Sequence, residues 1–158
     1  MTLLEGLAQW PGAQLLQRSG TAYLVMNATH ILGIGLLLGS ILPLDWRLAR
    51  GRADAVLGPV APVLLRTAML GLGLALLTGL WLFTVKPVAY AANPALWAKA
   101  ALLGLALVNV VFQHRDLRLA PALAGAGTPA PAPVRVRAVL SMMLWLGVLL
   151  AGRWIGFV

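Results

Sequence analysis

Four stretches of about 20 mostly apolar residues recur along this sequence. A helix that crosses the hydrocarbon core of a bilayer, which is about 30 Å thick, needs about that many residues at a rise of about 1.5 Å each. The stretches therefore predict four helices that span a lipid bilayer, at residues 22–44, 63–85, 95–114 and 136–157. We expect an all-α fold, an integral membrane antiparallel four-helix bundle, as a single transmembrane domain over residues 1–158.

The composition excludes several classes of protein. Only 10% of the 158 residues are charged, whereas a soluble domain carries about 25%. The net charge is +8, but the basic residues lie beside the apolar stretches, so we do not expect a nucleic-acid partner. Because the chain has no cysteine, it has no disulfide, thiolate metal site or covalently attached haem. Four acidic residues and two histidines offer little for hydrolysis, and we name no catalytic residue and do not expect an enzyme.

The distribution of Lys and Arg predicts an orientation. Eight of the twelve lie in or beside the connections between spans one and two and between spans three and four. Cytoplasmic loops of membrane proteins carry an excess of positive charge. We therefore expect both connections in the cytoplasm and both termini in the periplasm, in a multi-pass protein of the bacterial inner membrane.

The segments outside the spans have their own patterns. Residues 2–18 mix leucines with polar residues and are broken at Pro11, which predicts a short N-terminal interfacial segment of two amphipathic helices. Residues 121–134 contain mainly Ala, Pro and Gly without periodicity, which predicts a flexible cytoplasmic linker. Pro87 and Pro94 bracket a short turn, so we expect spans two and three to form a tight antiparallel hairpin.

Small residues recur at every fourth position within the spans. Such pairs let helix backbones approach closely in lipid, where association relies on van der Waals packing. We expect these positions to lie at helix contacts. They are Gly35 with Gly39, Gly71 with Ala75, Ala100 with Gly104, Gly147 with Ala151, and Gly152 with Gly156.

One histidine lies well inside the first span. His30 is about 12 Å below the outer edge of the apolar stretch at helical rise, and ionisable groups at such depth are usually functional. Met26 precedes it by one turn and shares its face. An imidazole with a thioether suits copper, and an imidazole alone suits b-type haem. The alternative is an imidazole that hydrogen-bonds a Ser, Thr or backbone carbonyl of a neighbouring helix.

The second histidine does not fit the same metal. His114 lies about 16 Å deeper than His30, whereas bonds from a metal to imidazole are about 2 Å long. We expect His114 to be a solvated or capping residue at the inner interface.

The remaining polar residues of the spans predict helix contacts. Those in the cytoplasmic half favour an interhelical hydrogen-bond network centred on Asn109, with a permeation or proton path as the alternative. Lys99 is expected to extend outward beside Trp97, with an anion-binding role as its alternative. The expected network contains Ser40, Asp45, Thr67, Asn109 and Ser141.

Three sequence motifs carry a resemblance to known families. They are His30-Ile-Leu-Gly-Ile-Gly-Leu-Leu-Leu-Gly39 with the Asp45-Trp-Arg-Leu that follows it, Thr78-Gly79-Leu-Trp-Leu-Phe, and Tyr90-Ala-Ala-Asn-Pro-Ala-Leu-Trp-Ala-Lys99 running to Asn109. Over nearly the whole chain, the sequence resembles an uncharacterised bacterial family of four-span membrane proteins. More distantly, it is similar to the membrane domain of copper-resistance protein D.

These resemblances imply a metal site. Relatives with the copper-resistance domain are linked to copper handling, and a wider set of small bacterial bundles with a histidine in the first helix binds b-type haem. The positions that match are His30, Lys99 and Asn109.

We therefore expect an integral membrane protein that binds a redox metal centre, b-type haem or copper, without a covalent bond and through His30. It would act in electron transfer or metal handling, with a membrane or periplasmic redox partner. The alternative is an accessory or structural membrane subunit without a cofactor, in an oligomer or larger complex, in which His30 and Asn109 fix helix packing.

Overall fold

A computed structural model describes residues 3–52, 54–124 and 129–157, and within them every regular element is a helix. This confirms the expected all-α fold. Four of the helices are long and apolar enough to cross a membrane, namely α3, α4, α6 and α8, so the chain has the architecture of a multi-pass membrane protein. The helices are α1 (Leu3–Leu7), α2 (Pro11–Arg18), α3 (Gly20–Arg50), α4 (Leu57–Phe83), α5 (Pro87–Ala92), α6 (Pro94–Arg115), α7 (Leu119–Leu123) and α8 (Ala132–Trp154).

The first long helix extends beyond the apolar stretch at both ends. The Ser19 side chain caps its start by accepting a hydrogen bond of 3.2 Å from the Ala22 amide. Gly51 ends it in the left-handed region with φ of 64°, a conformation that glycine adopts without a Cβ penalty. With 31 residues, α3 is longer than the hydrocarbon core requires, so it projects past the core or tilts within it. Because α3 continues to Arg50, Asp45 lies within this helix.

The long helices contact one another in the order α4, α3, α8 and α6. The expected hairpin of spans two and three is wrong, because α4 and α6 share no extensive contact although they are consecutive. The physical reason is the connection between them, in which α5 forms a short helix that contacts α1 and separates the two spans. We call the end of the bundle with α1, α2 and α5 the terminal end, and the opposite end the loop end.

Glycines make the contact between α3 and α4. A Cβ atom on Gly71 would lie 2.5 Å from the Leu37 backbone nitrogen, and one on Gly33 would lie 2.7 Å from the Ala75 backbone nitrogen. Gly71 thus lies at a helix contact, as expected. Gly35 and Gly39 do not, since a Cβ atom there would meet nothing within 4 Å, and the same holds for Gly104. Gly33 was not expected because the residue four positions later, Leu37, is large.

The stretch predicted to be a linker is partly helical. Its first residues belong to α7 and its last ones to α8, while residues 125–128 lie outside the described part of the chain. Ala122, Ala130 and Val134 are buried in a cluster with Leu44 and Leu48 of α3. The apolar face of α7 spans a single helical turn, which is too short to produce a recognisable period in the sequence. The loop end thus has a packed core of its own.

The two N-terminal helices form as expected and pack on the terminal end. Ala13 and Leu16 of α2 are buried against the bundle. The rings of Trp10 and Trp81 lie with centroids 5.6 Å apart, and each indole donates a hydrogen bond of 3.0 Å across this contact. The acceptors are the Thr84 hydroxyl and the Gly12 carbonyl, respectively. These contacts join α2 to α4 near the level of His30.

Candidate functional site

His30 lies at the contact between α3 and α4. Its ring packs over Gly79, where a Cβ atom would come within 2.9 Å of the imidazole Cε1. The imidazole Nδ1 is 3.0 Å from the Thr78 hydroxyl oxygen. That hydroxyl is itself 2.6 Å from the Leu74 carbonyl oxygen, to which it donates its proton. Thr78 therefore accepts from the ring, and Nδ1 carries the imidazole proton.

The bond from Thr78 to the Leu74 carbonyl favours one tautomer of the imidazole. With the proton on Nδ1, a neutral His30 presents a lone pair at Nε2. Histidines that bind metals usually donate their other ring N–H to a protein acceptor, which fixes the ring and its tautomer. The same hydrogen bond also matches the alternative, a histidine that joins two helices through a threonine. Thr78 is buried, and in the sequence it stands out only as part of the Thr78-Gly79 motif that carries the resemblance.

Lys99 brings a positive charge to the same region. Its charge acts on His30, although the two residues lie on α6 and α3. The side chain runs along α8, so that a Cβ atom on Gly152 would lie 3.4 Å from the Lys99 Nζ. The indole of Trp97, beside which Lys99 is expected to extend, donates to the Ala91 carbonyl at 2.9 Å. Of the other long helices, α4 contacts His30 directly, and α8 contacts the Lys99 side chain.

Few further metal ligands lie near His30. Met26 is partly exposed, one helical turn closer to the terminal end. Across the described ranges, no group of three or more His, Cys, Asp or Glu side chains could hold a metal ion. A copper ion at this site would have one imidazole and one thioether from the chain, and it would lie near the positive charge of Lys99. The surroundings therefore fit copper less well than they fit a group that needs only one imidazole.

The second set of polar residues lies nearer the loop end. The buried Asn109 amide donates a hydrogen bond of 3.1 Å to the Arg137 carbonyl of α8. One turn further along α6, the Gln113 amide donates one of 3.3 Å to the Val134 carbonyl. Gln113 was not expected from the sequence, although its spacing of four from Asn109 places both side chains on one helix face. These two amides join α6 to α8.

Asp45 and Ser40 are also buried in this half of the bundle. Asp45 of α3 and Ser141 of α8 line the same small cavity. Ser40 lies one turn further from the loop end, on the same face of α3 as Leu44. The structure thus brings three members of the expected network, Asp45, Asn109 and Ser141, to one cavity.

Asn109 allows a direct test of this packing. Asn109→Leu should lower the free energy of unfolding by about 1 kcal/mol, because it removes one interhelical hydrogen bond within the membrane. Val108→Leu is the matched control, since that neighbouring residue is exposed on α6 and should unfold like the wild type. Unfolding in a denaturing detergent, followed by circular dichroism, measures both. A loss of bound cofactor with unchanged stability would instead assign Asn109 to a functional site.

Ion pairs organise the connections outside the spans. Asp116 binds Arg118 at 2.8 Å and Arg137 at 2.5 Å, and hydrogen bonds from Arg118 above all hold the pKa of Asp116 well below its usual range. Asp54 pairs with Arg47 at 2.6 Å, and this contact likewise lowers its pKa. His114 is exposed, and its Nδ1 is 3.0 Å from the Val110 carbonyl oxygen. The histidine of the loop end is thus remote from the His30 site.

Four long apolar helices with buried polar groups between them define an all-α, multi-pass membrane protein. A model of a family of unknown function, DUF6644, matches residues 10–158, and the chain belongs to this family. No curated protein and no solved structure matches the chain. The family match links the chain neither to copper-resistance protein D nor to bacteria in particular.

Proposed function

We propose that this membrane protein holds a redox metal centre through the Nε2 atom of His30 and acts in electron transfer or metal handling. The observation that carries the proposal is the hydrogen bond from His30 Nδ1 to Thr78, whose own proton goes to the Leu74 carbonyl. It orients the ring, and it leaves the lone pair on the nitrogen that would bind the metal.

The surroundings of the ring support b-type haem over copper. A haem would be held by the single imidazole of His30, and it would supply one-electron chemistry. Its propionates are anionic, and Lys99 offers a positive charge near the ring. The lack of extensive contact between α4 and α6 supports access to His30 from the side of the bundle. Copper would need more ligands than His30 and Met26.

A cofactor-free accessory or structural subunit is the second candidate. The hydrogen bond between His30 and Thr78 also favours it, because that bond gives the half-buried imidazole a partner on the neighbouring helix without any cofactor. The close contact of Gly33 and Gly71 shows that α3 and α4 pack tightly beside it. In this function, the exposed apolar faces of the long helices would contact lipid or another membrane subunit.

An absorption spectrum and a metal analysis separate the two candidates. The protein would be purified in a mild detergent from cells supplied with iron, copper and a haem precursor. A Soret band with about one haem per chain supports haem at His30, and stoichiometric copper without such a band supports copper. Protein that is folded but contains neither would refute the proposal and favour the accessory subunit.

The proposed orientation places the loop end in the cytoplasm of a bacterium and both chain ends in the periplasm. The excess of Lys and Arg in the two loop-end connections supports it. Reporter fusions at Thr128, which lies outside the described residues, should be active in the cytoplasm. Fusions after the last residue should be active in the periplasm. The opposite pattern would reverse the orientation and place His30 near the cytoplasmic face.

A further inference from the structure

A small cavity lies at the loop end, between α3, α4, α6, α7 and α8, and it does not belong to the His30 site. Its volume is about 30 Å³, which is room for one or two water molecules. Most of its lining is apolar, from residues such as Leu44, Leu48 and Val110. The polar groups that line it are Asp45, Asn109, Gln113, His114 and Ser141.

Two oxygen atoms at this cavity have no hydrogen-bond partner. They are Oδ2 of Asp45, a residue that is 4% exposed, and Oε1 of Gln113, a residue that is 8% exposed. The orientation of Gln113 is fixed, because its amide nitrogen donates to the Val134 carbonyl of α8. Its oxygen is therefore an acceptor. If Asp45 were ionised, its Oδ2 atom would also be an acceptor. Neither oxygen would then have a hydrogen to donate to the other.

No cation neutralises Asp45 within the part of the chain that the structure describes. Arg47 binds Asp54, and Arg137 binds Asp116. From the elements packed around the cavity, α4 contributes Leu65, α7 contributes two leucines and α8 contributes Ser141. His114 of α6 is the other titratable group in the lining. An ionised carboxylate without a partner is costly to bury, and such a group usually becomes neutral instead.

We propose that Asp45 is a proton-binding site, whose carboxyl group carries a proton and shares it with Gln113 Oε1, directly or through one water molecule. The proton supplies the hydrogen that both oxygens lack and removes the unpaired charge. The Ser141 hydroxyl lines the same cavity as the carboxyl group. His114 is exposed and also lines the cavity, so protons can reach Asp45 past it from the loop end. The site is independent of any group bound at His30.

Infrared spectroscopy of the whole protein in lipid nanodiscs tests the site. The chain has four acidic residues, so substitutions can assign each protonated carboxyl group. At pH 7 the wild type should show the C=O stretching band of one protonated carboxylic acid, which shifts in D2O. Asp45→Asn should lose this band. Asp54→Asn is the matched control and should retain it, because Arg47 keeps Asp54 ionised.

A second variant tests the sharing of the proton. Gln113→Leu removes the acceptor but retains Asp45, so the band should persist and move to higher frequency. An unchanged frequency would overturn the shared proton. If Asp45→Asn does not fold, the wild-type band and its response to Gln113→Leu still decide the proposal. A wild type without such a band at pH 7, or a band that Asp45→Asn retains, would overturn the site. If Na⁺ stabilises the wild-type protein and the band of a protonated carboxyl group is absent, the cavity binds a cation and not a proton.

Discussion

His30→Ala is expected to abolish the Soret band of the purified protein, or its bound copper, while the four long helices remain folded. The reason is that Nε2 of His30 is the metal-binding nitrogen in the proposed function, and no neighbouring imidazole can replace it. Thr78→Ala should have a smaller effect, with cofactor affinity reduced by about 10- to 100-fold, because it removes only the acceptor that orients the ring. Absorption titrations with added haem measure both variants.

His114→Ala is the matched control for this result. That residue is also an imidazole on a long helix, but it is exposed at the loop end and bonded to its own helix. The variant should retain the full cofactor content. If the wild type contains neither haem nor copper and His30→Ala is as stable as the wild type, the redox function fails. Equal damage from both histidine variants would require a second metal site at the loop end.

The long helices were predictable because each contains an apolar stretch that matches the thickness of a bilayer. Their neighbours were not predictable. Two helices joined by a short connection usually pack together, and the prolines around α5 predicted a hairpin for α4 and α6. The connection itself folds into a helix, so that α6 contacts α8 instead. The four long helices have similar mean hydropathy, which therefore does not determine which of their faces meet.

The candidate site was predictable only in part. His30 and Asp45 are conspicuous because ionisable residues are rare within membrane spans. Their partners, Thr78 and Gln113, are ordinary polar residues whose importance arises from contacts between helices distant in the sequence. Gly33 was missed for a related reason. A small residue every fourth position identifies a groove on one helix, whereas Gly33 contacts the backbone of α4 as a single residue.

Gly71→Ala should destabilise the protein by about 1–3 kcal/mol, the usual cost of extra atoms in a packed core. The added Cβ would lie 2.5 Å from the Leu37 backbone nitrogen and 2.7 Å from the Gly33 carbonyl oxygen. Backbone atoms cannot move aside by changing rotamer, so α3 and α4 must separate. Gly73→Ala, two residues away on the same helix, meets no atom within 4 Å and should be neutral or slightly stabilising.

The same separation should affect the His30 site from a distance. Because Gly33 and His30 lie one turn apart on α3, moving α3 away from α4 lengthens the contact between His30 Nδ1 and Thr78. Gly71→Ala should therefore weaken cofactor binding as well as stability, whereas Gly73→Ala should change neither appreciably. Thermal unfolding and haem titration of the two variants measure both effects. If Gly71→Ala behaves like Gly73→Ala, α3 and α4 are not in close contact at this glycine, and the geometry assigned to His30 and Thr78 is wrong as well.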